Sequence, residues 1–193
     1  PIPPVQTAEV QSSPPPFTRT EEREPCSNYT PERRPLFGDL HVHTAWSFDA
    51  SSQDTRNTPA EAYRFAQGAP MGIQPYDENG RATRTILLDR PLDFTAVTDH
   101  AEFLGEVHMC TTPGEPGYWH PVCLIQRHIP RYTFWTFGAA GLSYKHRWGL
   151  CGDNNSLCAE KAADMWRQIQ QDAEEAYDRS SDCSFTSFVG YEW

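Results

Sequence analysis

Three apolar runs, each closing on a histidine or an acidic residue, alternate with segments of helical spacing, and this alternation constrains the fold more than any other feature. The first run, Leu36 to Thr44, reads as a strand. Leu36, Leu40 and Val42 fall on one face by period two, and Asp39, His41 and His43 fall on the other. The second run, Leu92 to Thr98, has the pattern of a buried strand and ends in Asp99-His100. The third, Phe185 to Trp193, puts Phe188, Gly190 and Glu192 on one face. Between the first two lies Thr58-Pro59-Ala60-Glu61, a capping box with proline at the first helical position, which predicts a helix to about Gln67. Before the third, Leu157 to Tyr177 carries Ala162, Met165, Trp166, Ile169, Ala173 and Tyr177 at helical spacing, with Asn155 or Ser156 as cap. That stripe is core packing. The order is a βα repeat, which predicts an α/β protein with a parallel sheet or barrel.

The remaining segments organise around this frame. Residues 1–35 are rich in proline and polar residues and read as an extended arm, with order beginning near Leu36. Asp77 to Arg81 reads as a turn, and residues 101–108 as a short helix. Residues 109–156 form an irregular insertion. Its Trp119, Tyr132, Trp135 and Tyr144 are expected to make a small core of its own, with a substrate pocket as the alternative.

Charge narrows the partners. With 26 acidic against 16 basic residues the net charge is −10, which disfavours nucleic-acid backbones and anionic membranes. No apolar run is long enough to span a bilayer. The sequence opens on Pro1 rather than methionine, as in a processed or trimmed chain. Cys26, Cys110, Cys123, Cys151, Cys158 and Cys183 form no C-x-x-C pair and lie mostly in Gly/Pro-rich stretches. An even count so placed points to disulfides and to a periplasmic or extracellular location, a reduced cytosolic enzyme being the alternative. The pairing is open at this level.

The chemistry lies at the strand ends. His41 and His43 are two apart on a strand, so both imidazoles project from one face and suit zinc, manganese or iron. Asp39 precedes them on that face and is placed to orient a ligand. Asp49 follows on the loop beyond the strand's C-terminal end, where βα folds build their sites. His100 closes the second strand and Glu192 the third. Each of these, alone, has an ordinary reading: strand histidines, a solvated loop aspartate, a core histidine, a surface glutamate. Three successive strands that each deliver a ligand at the same end make coincidence the weaker account.

The run Gly38-Asp39-Leu40-His41-Val42-His43-Thr44, with Ser47 and Asp49, and then Thr98-Asp99-His100, resembles the PHP (polymerase and histidinol phosphatase) superfamily. The longer wording, from Phe37 to Asp49 and from Pro91 to Gly105, is similar to its subfamily DUF3604. The resemblance covers residues 36–193 and is loose across the insertion. It implies the N-terminal part of a distorted (βα)7 barrel with two or three divalent ions at its mouth. His41 and His43 would bind one ion, Asp49 and His100 would help bind another, and Glu192 matches the family's bridging glutamate. Asp39 and Asp99 would support the ligands. Glu102 matches no firm family role but lies close to His100. The family takes further histidines and an Asp-x-His from later strands. His108, His120, His128 and His146 match none of these. The rest of the barrel is therefore expected from the same protein or from a second chain.

Ions so placed lower the pKa of a shared water, which suits in-line attack on phosphorus. The expected activity is a metal-dependent phosphoesterase acting on a small phosphoester or ester. A metal-dependent amidohydrolase or lactonase also uses His-x-His on a first barrel strand. The Thr-Asp-His ending and the Ser47-x-Asp49 run favour the phosphoesterase. A secreted binding module with a structural metal is the alternative from another class.

Overall fold

The computed structural model describes residues 23–132, 134–135, 147 and 149–193. The first part of the arm, Tyr144 and His146 lie outside the described residues. The chain is α/β. Strands β1 (Gly38–Val42), β4 (Phe94–Val97) and β5 (Thr186–Val189) make a parallel sheet in the order β1-β4-β5. Strands β2 (Met71–Tyr76) and β3 (Ala82–Ile86) form a separate antiparallel hairpin. No closed barrel is formed by the described residues.

Each helix has a local cause. Helix α1 (Phe48–Ser52) is a single short turn after β1. Helix α2 (Pro59–Ala66) starts on the expected capping box: Thr58 accepts from the Glu61 N–H and Glu61 accepts from the Thr58 N–H. Helices α3 (Leu104–Thr111) and α4 (Pro121–His128) follow β4, the first entered through a 3-10 turn at Ala101–Phe103. Helix α5 (Ser156–Ala176) buries Met165, Ile169 and Ala173, on the stripe read from the sequence. Asn155 precedes it with φ 61° and gives no side-chain cap.

Helices α2 and α5 cover one face of the sheet. Tyr63 and Ala66 of α2, Val97 of β4, Ala173 of α5 and Phe185 pack together there, with Val42 at the margin. The other face carries Phe94 and Phe188 in edge-on contact, and Phe188 is 47% exposed. The period-two face expected for Leu36, Leu40 and Val42 does not hold. Asp39 pairs with Thr95 and Val42 with Val97, so β1 has one more residue than β4 between the pairs. That bulge rotates the strand. Leu40 is left 57% exposed while Val42 joins the core. Gly38 is fixed by contact, since a Cβ there would lie 2.3 Å from the Phe94 carbonyl oxygen.

The region expected to be irregular holds α4 and two disulfides. Cys110–Cys123 joins α3 to α4, and Cys151–Cys158 joins the preceding loop to α5. Met109, Leu150 and these cysteines form a buried cluster. This cluster, and not the aromatics, is the insertion's core: Trp119, Tyr132 and Trp135 are exposed. The third disulfide, Cys26–Cys183, ties residues before β1 to the loop before β5. Arg23 also reaches there, donating to the Tyr177 hydroxyl.

Helix α3 crosses α5 at Gly105, where a Cβ would lie 2.0 Å from the Cys158 carbonyl oxygen. Backbone cannot yield as a flexible side chain does. Gly105→Ala is expected to cost about 1–3 kcal/mol by overpacking, read as a lowered denaturation midpoint in urea. An unchanged midpoint would show that the crossing relaxes freely.

Candidate metal centre

All three parallel strands end at the same rim. His41 lies in β1 and His43 one residue beyond it. His100 pairs with Glu192 as an isolated parallel bridge past the ends of β4 and β5. The sheet thus continues for one more ladder step, with Ala101 N–H donating to the Glu192 carbonyl at 2.9 Å and Glu192 N–H to the Asp99 carbonyl at 3.1 Å. Gly190 allows this close path, since a Cβ there would lie 3.1 Å from the Thr98 methyl.

The side chains then converge. Glu192 Oε2 lies 2.8 Å from His41 Nε2 and 2.8 Å from His43 Nε2. His43 Nδ1 lies 3.0 and 2.9 Å from the two Asp49 oxygens. His100 Nε2 is 3.8 Å from Asp49 Oδ2, and its Nδ1 is 3.3 Å from Glu102 Oε1. Two donor groups result, His41-His43-Glu192 and His43-Asp49-His100, each with one ligand atom per residue all within 4.8 Å. Among the described residues His43 alone belongs to both. A third cluster, Glu106 with Cys151 and Cys158, offers no thiolate because both sulfurs are in a disulfide.

The electrostatics follow from this packing. Burial lowers the His43 pKa, but hydrogen bonds and charge from Asp49 and Glu192 outweigh it, and the net shift is upward. Burial raises Asp49, yet hydrogen bonds from Ser47, His43 and the Ala50 N–H hold it below the usual carboxylate range. Desolvation likewise raises Glu192, while His43, His100 and His41 bring it below that range. Both carboxylates are therefore ionised at neutral pH and available as ligands. The chemistry of the set, imidazole nitrogen with carboxylate oxygen, fits zinc, manganese or iron.

The support residues divide. Asp39 accepts from the His41 N–H at 2.9 Å and so braces the β1 backbone at the bulge rather than a ring. Asp99 is fully buried and accepts from Thr44 twice, N–H at 2.5 Å and hydroxyl at 2.7 Å. Burial raises its pKa to about 6 against the opposing pull of the Thr44 hydrogen bonds and the His43 charge. It ties the end of β4 to the segment leaving β1. Thr44 and Phe48 escaped sequence reasoning. Thr44 stands in the motif run, but nothing in the sequence shows that it is buried against Asp99. Phe48, whose ring centroid lies 4.7 Å from that of His100, looks like any apolar residue opening a helix. Ser47, named only beside Asp49 in the motif, joins two parts: it donates to Asp49 Oδ1 at 2.5 Å and accepts the His100 N–H at 3.1 Å.

A cavity of about 370 Å³ adjoins the centre. His43 and Asp39 lie on its wall with Phe65, Met71, Leu88 and Leu92. Of the other histidines, His108 lies 3.3 Å from Glu115, and His120 caps α4 by accepting from the Val122 N–H. Neither joins the centre.

The chain is thus α/β, with a parallel sheet and a histidine–carboxylate cluster at the C-terminal rim of its strands. The chain belongs to the family DUF3604, described as a protein of unknown function, whose model matches residues 30–193. No curated protein and no solved structure matches it.

Proposed function

We propose that this chain carries the first part of the metal site of a hydrolase, a phosphoesterase of the PHP kind built on a (βα)7 barrel. The observation that carries the reading is the meeting of His41, His43, Asp49, His100 and Glu192 at the ends of three adjacent parallel strands. His41, His43 and Glu192 would hold one divalent ion. Asp49 and His100 would help hold a second, because His43 turns its Nε2 towards Glu192. When bound, two such ions lower the pKa of water and neutralise charge on a phosphoryl group. The chain's own part is to keep the donors in place. Asp99 and Thr44 fix the exit from β1, Asp39 fixes the bulge, and Ser47 locks Asp49 beside His100.

Two further features support parts of this reading. The sheet leaves Leu40 and Phe188 exposed, which suits additional barrel strands from the same protein or a second chain. Three disulfides suit a periplasmic or extracellular setting. Among the described residues no helix is long and apolar enough to cross a membrane.

Metal analysis of the full-length protein is expected to find at least two equivalents of zinc, manganese or iron. Phosphomonoesters, phosphodiesters and carboxylic esters are then compared as substrates. Turnover of phosphoesters supports the proposal. Turnover of esters or amides alone favours an amidohydrolase or lactonase, and one tightly closed metal with no turnover favours a structural module.

A further inference from the structure

We propose that Glu102 is the positioning residue for His100, holding the ring in its Nδ1–H form so that the Nε2 lone pair faces Asp49. The inference rests on the metal-centre reading, and concerns a carboxylate outside both donor groups.

The His100 ring is held on several sides. Its centroid lies 5.0 Å from that of His43 and 4.7 Å from that of Phe48, and its backbone N–H is donated to Ser47. In that setting Nε2 lies 3.8 Å from Asp49 and Nδ1 lies 3.3 Å from Glu102 Oε1. Among the described residues the buried Nδ1 has no hydrogen-bond partner, and neither has the buried Oε2 of Glu102. A buried polar atom left unmatched costs about 1–3 kcal/mol. An ionised carboxylate can only accept. A bond from Nδ1 to the Glu102 carboxylate, whose Oε1 lies 3.3 Å away, therefore puts the proton on Nδ1 and leaves Nε2 bare for a metal. Carboxylates do this for metal-binding histidines generally.

Glu102 is itself well placed for the task. It sits in the 3-10 turn Ala101–Phe103, immediately after the ladder step that joins His100 to Glu192. Its carbonyl accepts from Arg147 Nη1 at 2.7 Å. Arg147 is ion-paired with the buried Glu106, and its guanidinium carbon lies 5.3 Å from the Phe103 ring centroid. A cation from the insertion thus pins the turn that carries Glu102.

The test uses nitrogen-15 NMR of the metal-free protein and titration with zinc against a chromophoric chelator. Wild type is expected to show His100 as the Nδ1–H form. E102A is expected to move it towards Nε2–H, which can donate to Asp49, and to weaken one zinc equivalent about 10–100-fold. E102Q keeps an amide oxygen as acceptor and is expected to retain the Nδ1–H form and near wild-type affinity. Thermal midpoints confirm that all three are folded. An E102A protein with unchanged tautomer and unchanged zinc affinity overturns the inference, as does an Nε2–H form in wild type. Should wild type bind no zinc, the metal-centre reading fails, and the tautomer comparison still decides the role of Glu102.

Discussion

His43→Ala is expected to lower hydrolytic turnover by about 10³-fold or more and to reduce bound metal below two equivalents. His43 is the residue common to both donor groups, touching Glu192 through Nε2 and Asp49 through Nδ1. On the proposed reading its removal would take a ligand from one ion and leave two ionised carboxylates facing an empty volume. A 10³-fold loss corresponds to about 4 kcal/mol of transition-state stabilisation, within what metal polarisation supplies. His41→Ala should be milder. The His41 side chain is 71% exposed against 14% for His43, and it contacts Glu192 but not Asp49. Elemental analysis and phosphoester turnover, with circular dichroism as the control for folding, decide the matter. Two retained equivalents and full turnover in His43→Ala would mean that the cluster is not the metal site.

The second large effect concerns stability. Converting Cys26 and Cys183 to serine is expected to cost up to about 5 kcal/mol. Their separation is 157 residues, against 13 for Cys110–Cys123 and 7 for Cys151–Cys158. The chain-entropy argument gives about 5 kcal/mol for the longest loop and about 3 and 2 kcal/mol for the others. For a chain of this size 5 kcal/mol corresponds to a fall of roughly 10–20 °C in the melting temperature. The link joins the arm to the loop before β5, so its loss frees the strand that delivers Glu192. Thermal melts of the three separate double-serine variants measure the order. A smaller drop for Cys26/Cys183 than for Cys151/Cys158 would count against loop entropy as the leading cause.

The sequence carried the site better than the scaffold around it. A candidate ligand at a strand end has a double signature, residue type and apolar run, which is why the rim positions of His43, His100 and Glu192 are legible in the sequence. Asp49 reads as a loop residue but lies in the first turn of α1, because a five-residue helix is too short to show periodicity. The hairpin of β2 and β3 escaped notice apart from its turn. Ala82 to Ile86 is exposed throughout, so its pairing leaves no alternation to read. The bulge in β1 was invisible for another reason. It is fixed by register against β4, about 55 residues away, and no local pattern reports a register. Disulfide pairing is a matter of distance in space and was open for the same reason.

The ladder step between His100 and Glu192 has a consequence for how the protein is made. Glu192 bonds His43 across 149 residues of sequence, so the first strand must wait for the third before its histidines find their carboxylate. Until β5 docks, His41 and His43 stand on a bulged strand without the Glu192 carboxylate that both contact. On the proposed reading, a complete donor set would exist only once β5 has docked, so metal loading would follow the completion of folding.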